Sequence, residues 1–242
     1  MVEIGRIKEI FRYSVKSMAG DRLDAAGLGW HGLDGDRRFA FRRMADQGGF
    51  PWLTAGRLPE LVLYQPFRAD NGGDDQTPTH VRTPEGAVLE LRGEELRAEI
   101  ARRHGAEVEL MRLKHGIFDE ASVSLITTAT ILRIGRESGL NLDVRRFRPN
   151  LLIETHRNAP FEEDDWVGKV MCFGEHAEGG AVGVTLRDER CAMINFDPET
   201  AAADPSVLKS VVRLNQNNAG AYGVVVGTGI LSVGQKVYLK SQ

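Results

Sequence analysis

Two cysteines occur in the 242 residues, and one of them, Cys191, stands in a setting that could do chemistry. It lies in Arg187–Thr200, RDERCAMINFDPET, directly after Arg190 and six residues before Asp197-Pro198. Arg187 and Arg190 favour the thiolate, whereas Asp188 and Glu189 oppose it. A thiolate serves as a nucleophile or a soft metal ligand. The run Ala192-Met193-Ile194-Asn195-Phe196 that follows equally suits a small buried thiol. These residues alone leave both readings open. Cys172, inside a strand-like segment with Val170, reads as a buried hydrophobe.

Three other stretches carry groups suited to an anionic oxygen. Lys16-Ser17, in the polar loop Tyr13–Met18, sets an ammonium beside a hydroxyl, although a loop lysine is usually just solvated. In Asp36–Arg42, Phe39 and Phe41 alternate with Arg38 and Arg42, which puts Arg37 on the phenylalanine side. An inward arginine must be paired, so Arg37 meets either Asp34 or Asp36, or an anionic ligand. Asp143–Asn150 packs Arg145, Arg146 and Arg148 before the apolar strand Leu151–Ile153. Such a run is ordinarily a solvated face, yet Pro149 fixes the backbone with Arg148 and Asn150 at the strand's mouth. The acidic stretch Phe161–Trp166 lacks the alternation of a calcium loop and reads as a solvated turn.

Several functions are excluded. A net charge of -3 argues against a general nucleic-acid binder. No apolar run approaches the roughly 20 residues of a bilayer span, and the charged N-terminus is no signal-peptide core. Two cysteines make no disulfide framework, so a reducing, cytoplasmic setting is expected. HExxH, paired CxxC, P-loop, G-x-S-x-G and Rossmann glycine patterns are all missing, and the six histidines, among them His176 in a glycine-rich loop, form no zinc spacing.

The elements that must position these residues are mainly β, with a few short helices. Strands are expected over 2–13 (with a bulge at Gly5), 61–66, 80–84, 87–91, 107–113, 151–153, 168–173, 224–226 and 236–239, and a flexible loop over Asp70–Thr79. Helices are expected over Glu94–His104 with Gly105 as cap, after Thr127 or Thr128 as far as Gly139, and over Pro205–Leu214. A boundary at Lys114–Ala121 divides the chain into 1–113, a small barrel or sandwich, and 114–242.

Arg190-Cys191 followed by Asp197-Pro198-Glu199-Thr200 resembles the signature of MOSC domains, named after the C-terminal region of molybdenum-cofactor sulfurases. Tyr13-Ser14-Val15-Lys16-Ser17 resembles the segment opening their N-terminal β-barrel domain. Gly35–Phe39, Phe147–Leu151 and Gly229–Leu239 are similar to further segments of that family. The likeness covers the whole chain in order and is nearest to the mitochondrial amidoxime-reducing component type.

The resemblance implies a molybdenum–molybdopterin cofactor, with Cys191 as the catalytic thiolate on the metal. It implies that Lys16, Ser17, Arg37, Arg148 and Asn150 hold the pterin and its phosphate, and that Ser122, Arg190 and Tyr222 complete the site. Arginine forks suit phosphate oxygens. Asp188 stands where relatives often carry a second cysteine, Glu189 at a small polar position, Ala121 for Thr and Ser14 for Pro. The implied activity is reduction of N-hydroxylated or related N- or S-oxygenated small molecules. Electrons would come from separate ferredoxin-, flavin- or haem-type proteins. The alternatives are a sulfurtransferase with a Cys191 persulfide and a non-catalytic cofactor carrier. Pyridoxal phosphate is not expected.

Overall fold

The computed structural model describes residues 1–69, 76–175 and 179–240. His176 and most of the Asp70–Thr79 loop lie outside them. Seven strands form a closed ring: β1 (Val2–Arg12), β2 (Val123–Thr127), β3 (Leu151–Thr155), β4 (Val170–Phe173), β5 (Ala181–Glu189), β6 (Asn218–Gly227) and β7 (Lys236–Lys240). Their order is β3-β2-β6-β5-β4-β7-β1, and β1 returns to pair with β3. The register of β1 against β7 shifts between Glu3 and Gly5, the expected bulge. A Cβ on Gly5 would lie 2.1 Å from the Glu154 carbonyl oxygen, so only glycine lets β3 approach there.

Alternate side chains fill the barrel. Val123 and Leu125, Leu151 and Ile153, Val182 and Val184, with Ile7, Ile10, Met171 and Phe173, form one buried cluster. The opposite faces of β2 and β3 offer Ile126 and Leu152 to a helical layer. That layer is needed because β2 and β3 run parallel, with Leu125 opposite Leu151, and parallel neighbours require a crossover.

Of the three α-helices among the described residues, α1 (Glu94–His104), α2 (Thr128–Ser138) and α3 (Ser206–Asn215), α2 is that crossover. The Thr127 side chain caps it by accepting from Thr130 N at 3.2 Å, and Gly139 closes it at φ 75°. Ile131 and Ile134 of α2 and Val207 and Val211 of α3 pack on Ile126 and Leu152.

The buried members of a second core run from Val15 to Val108 among the described residues: Phe39 and Phe41 from the strand Phe39–Arg43, Val108 from its antiparallel partner Val108–Arg112, and Leu96 and Ile100 from α1. The barrel core, in turn, takes Ile7, Ile10, Leu28 and Leu33 from the first 33 residues. We keep 1–113 and 114–242 as a proposed division into folding units, with β1 crossing it.

Two expectations fail. Leu61–Pro66 is not one strand: Pro59 opens a 3-10 helix, Pro59–Leu63, and only Gln65–Phe67 is extended. Proline suits a first helical position, and Leu61 and Val62 both face inward from this turn, which a two-residue alternation would not allow. Phe161–Trp166 is not a solvated turn. Glu162–Trp166 is a 3-10 helix whose Glu162 and Glu163 are buried. Glu163 accepts from Thr127 N at 2.7 Å and Thr130 Oγ1 at 2.8 Å, a backbone and a side-chain donor at the start of α2.

Candidate functional site

Cys191 ends the excursion from β5 and caps the 3-10 turn Ala192–Asn195. It is exposed, while Cys172 is buried, so of the two readings of Cys191 the buried thiol falls away. The turn is held at both flanks: Ile194 enters the helical layer beside Val207 and Val211, and Phe196 packs with Ala55 and Val62 in a small cluster of their own. Arg146 secures it, donating to Asn195 O at 2.8 Å and pairing with Asp197 at 2.8 Å. Asp197 in turn accepts from the backbone N–H of Glu199 and Thr200.

Cys191 opens into a cavity of about 360 Å³ whose lining includes Lys16, Ser17, Arg37, Arg148, Arg190 and Tyr222. Six anticipated side chains from distant parts of the sequence therefore meet the thiol. Ser17, Arg37 and Arg148 all have positive φ, 66°, 46° and 50°. Such geometry in non-glycine residues costs on the order of 1–3 kcal/mol each and clusters at functional sites.

Two anticipated residues stand elsewhere. Asn150 is fully buried behind Arg37. Its Oδ1 accepts from Arg37 Nη1 at 2.9 Å and Ser124 N at 3.0 Å, and its Nδ2 donates to Phe11 O at 3.2 Å. It orients Arg37 and does not line the cavity. Ser122 precedes β2 against Gly32, where an added Cβ would lie 2.2 Å from the Ser122 carbonyl oxygen, and it too is absent from the lining. Two residues on, Ser124 Oγ donates to Asp188 Oδ2 at 3.1 Å.

The charges fall into two sets. Arg37 is wholly engaged by protein: Asp36 Oδ2 at 2.5 Å, Asp119 Oδ2 at 2.5 Å and Arg148 O at 2.8 Å. Burial alone would depress its pKa, but Asp36 and Asp119 outweigh burial and raise it. The Asp36 pairing is thus the observed one of the two candidate aspartates, and Asp119 is an addition. Asp119 also accepts from Tyr222 Oη at 3.2 Å, and Arg37 and Lys16 hold its pKa down against burial.

Lys16 and Arg148, by contrast, have no carboxylate within ion-pair distance among the described residues. Lys16 Nζ donates to Phe118 O at 2.8 Å and lies 5.6 Å from the centre of the Phe50 ring. Arg148 donates to Met18 O at 2.6 Å and covers the Tyr13 ring at 4.2 Å. Burial lowers the pKa of both, that of Arg148 to about 10. Two desolvated cations facing one cavity favour an anion there. The arginine run is accordingly no solvated face: Arg146 is buried and Arg148 lines the cavity, and only Arg145, paired with Asp143 and Glu199, behaves as surface charge.

Asp188, Glu189 and Arg190 form the wall beside Cys191. Arg190 Nη2 lies 2.8 Å from Asp188 Oδ2, Nε donates to Ala219 O at 2.6 Å and Nη1 to Phe147 O at 2.8 Å. Gly220, at φ 92°, makes room: a Cβ there would lie 2.5 Å from Leu125 O and 3.0 Å from Arg190 Nη2. Asp188 is 1% exposed, and burial, opposed by Arg190, pushes its pKa up to about 7. Glu189 is exposed and accepts from Asn217 Nδ2 at 3.2 Å.

Asp119, Ser124 and the aromatic wall of Phe50 and Phe118 are the residues that sequence reasoning missed. Asp119 sits in HGIFDEAS, a stretch without periodicity that reads only as a boundary. The signal for Ser124 was the two-residue period of β2, which places it opposite the face of Val123 and Leu125.

Among the described residues no three His, Cys, Asp or Glu side chains cluster as a metal cage. The donor set is one accessible cysteine sulfur, so a metal held here would arrive with most of its own ligands. A molybdenum carried by pterin dithiolene sulfurs has that character, and Lys16 and Arg148 suit its phosphate. The residues present fit the group.

Comparison with known proteins bears on the family and the fold. The MOSC domain matches residues 101–238, and the MOSC N-terminal beta barrel domain matches residues 4–126. A molybdenum cofactor sulfurase of Drosophila grimshawi is 26% identical over 255 residues, which span 88% of this chain and 31% of that protein. The chain therefore spans about a third of the length of this relative. The crystal structure of the YUAD protein from Bacillus subtilis superposes with a TM-score of 0.53 at 12% identity, covering 99% of this chain and 97% of that one, and shares its fold. No helix among the described residues is long and apolar enough to cross a membrane. With the MOSC domain covering more than half of its residues, the chain belongs to the MOSC-domain family, a family associated with the molybdenum cofactor.

Proposed function

We propose that this protein is a molybdenum-cofactor-dependent oxidoreductase that reduces N-hydroxylated or related N- or S-oxygenated small molecules. The observation that carries the reading is the meeting, in one cavity, of an exposed thiol with two desolvated cations that lack carboxylate partners. The cofactor, when bound, supplies two-electron redox chemistry at its metal. Cys191 would hold the metal, with Lys16, Ser17 and Arg148 on the phosphate and pterin edge. Arg37 and Asn150 would keep Arg148 and Asp119 in place. Arg190 would fix the strand end from which Cys191 projects. Electrons would come from separate ferredoxin-, flavin- or haem-type proteins, in a cytoplasmic setting, with pyridoxal phosphate playing no part.

The test is metal analysis of protein from a cofactor-competent host. Near-stoichiometric molybdenum in the wild type, lost in Cys191→Ala, with turnover of an N-hydroxylated amidine by reduced methyl viologen, is the expected result. Equal metal in both proteins would sink the ligand assignment. A second reading is favoured by the name of the fly relative: a sulfurtransferase in which the exposed Cys191 carries a persulfide. It predicts sulfane sulfur on Cys191 and no molybdenum. A non-catalytic carrier would hold the cofactor without turnover.

A further inference from the structure

Reductive removal of oxygen consumes protons, and a group at the site must deliver them. Three carboxylates line the cavity: Asp119, Asp188 and Glu189. Asp119 is locked to Arg37 and its pKa is held low, so it keeps no proton to give at neutral pH. Glu189 is exposed at the rim and engaged with Asn217. Asp188 differs from both. It is nearly inaccessible from bulk solvent yet lines the cavity, at the end of β5 three residues before Cys191.

The groups facing Asp188 come from every side. Ser124 of β2 donates to its Oδ2, and Arg190 stands 2.8 Å from that same oxygen. Tyr222 of β6, Asp119 and Arg37 act on it electrostatically. Burial is the largest influence. Asp119 adds to the rise, and Arg190, Ser124 and Arg37 oppose it, leaving the carboxyl near half-protonated at neutral pH. A general acid works best in this condition.

We propose that Asp188 is a catalytic residue that hands a proton to the oxygen leaving the substrate, with Ser124 and Arg190 as positioning residues that aim it along the wall holding Cys191. The inference rests on the reductase reading and names its acid. For an N-hydroxylated substrate the balance is R–NH–OH plus two electrons and two protons to R–NH2 plus water. The N–O bond breaks, and the nitrogen is reduced by two electrons from the reduced donor. Asp188 protonates the departing hydroxyl, which leaves as water, and solvent supplies the proton taken up by nitrogen. Asp188 is then reprotonated through the cavity.

The experiment compares wild type, Asp188→Asn and Asp188→Glu, each loaded with cofactor and assayed with reduced methyl viologen and an N-hydroxylated amidine across pH. Asparagine keeps the size and an acceptor for Ser124 but carries no acid. The expected result is a kcat fall of about 100-fold in Asp188→Asn, the size of a lost general acid. KM and molybdenum content stay unchanged, the alkaline limb of the pH profile disappears, and Asp188→Glu recovers part of the rate. A second readout needs no cofactor. In the apo protein, the infrared carbonyl band of a protonated carboxyl should be present at about pH 6, fade by about pH 8.5 and be absent from Asp188→Asn.

An active wild type whose Asp188→Asn variant keeps kcat and pH profile overturns the assignment of Asp188 and leaves the reductase reading standing. A wild type that holds molybdenum but turns over no N-oxygenated substrate overturns both. An apo protein with no such band at about pH 6 overturns the proton-donor role whatever the activity.

Discussion

Arg146 Nη2 lies 2.8 Å from Asp197 Oδ2, and through this pair a buried guanidinium from the turn before β3 fixes the turn that presents Cys191. Arg146→Ala should cost about 2 kcal/mol, the value of charge-assisted hydrogen bonds to Asp197 and Asn195 O. It should also raise the reactivity of Cys191 toward a bulky thiol reagent as the turn loosens. Urea denaturation and alkylation rates check the two effects, and unchanged alkylation would show that Ile194 and Phe196 suffice to hold the turn.

Asp36 is completely buried and serves two donors at once, Tyr13 N at 2.6 Å and Arg37 Nη1 at 2.5 Å. Asp36→Asn leaves Arg37 short of a counter-charge, and breaking such a pair costs about 3–5 kcal/mol. A lower urea midpoint with an unchanged slope is expected. A variant as stable as the wild type would show that Asp119 alone neutralises Arg37.

Glu163 tests the buried acid next to α2. Burial raises its pKa above the ordinary 4.5. Between that value and the raised one the folded state binds more protons than the unfolded, so stability falls as pH rises through this window. Glu163→Gln keeps the acceptor for Thr127 N without the charge. Its melting temperature should match the wild type near pH 4.5 and exceed it at higher pH. A gap that instead widens toward acid would refute the sign.

Arg148 carries a cation that burial disfavours, its pKa lowered to about 10, so its cost is present at all lower pH. Arg148→Met should leave the apo protein at least as stable as the wild type, with a melting temperature equal or higher by about 2–4 °C. The same variant should retain less cofactor, and lose it more steeply with salt. Calorimetry and molybdenum content after gel filtration at two salt concentrations measure both. A drop in apo stability would mean that the Met18 and Tyr13 contacts outweigh the desolvated charge.

Local patterns made much of this legible. Thr127 and Gly139 bound α2 because capping and left-handed closure are decided by the residues at the ends. The apolar run Leu151–Ile153 marked β3 of the barrel wall, whereas β2, Val123–Thr127, went unread because it runs straight into the helix that Thr127 caps. The arginine run was opaque because Arg145, Arg146 and Arg148 look alike in sequence and differ only in where Asp143, Asp197 and Tyr13 lie in space. Glu163 was misjudged for the same reason: its partners Thr127 and Thr130 are 36 and 33 residues away. Motif likeness gathered Lys16, Arg37, Arg148 and Tyr222 to Cys191. It could not tell that Arg37 is sated by aspartates whereas Arg148 is not.

The closure of the barrel through β1 also governs how the molecule is made. β1 is made before the other strands of the ring, and its neighbours β3 and β7 follow after about 140 and more than 220 residues of further synthesis. Until β7 arrives, both β1 and β4 present an unpaired edge, and such edges are templates for joining other chains. Pairings of this span are slow to form. Nascent chains stalled before Lys236 should therefore be the form that aggregates, and overproduction of the protein is expected to be limited by the last strand rather than by the site.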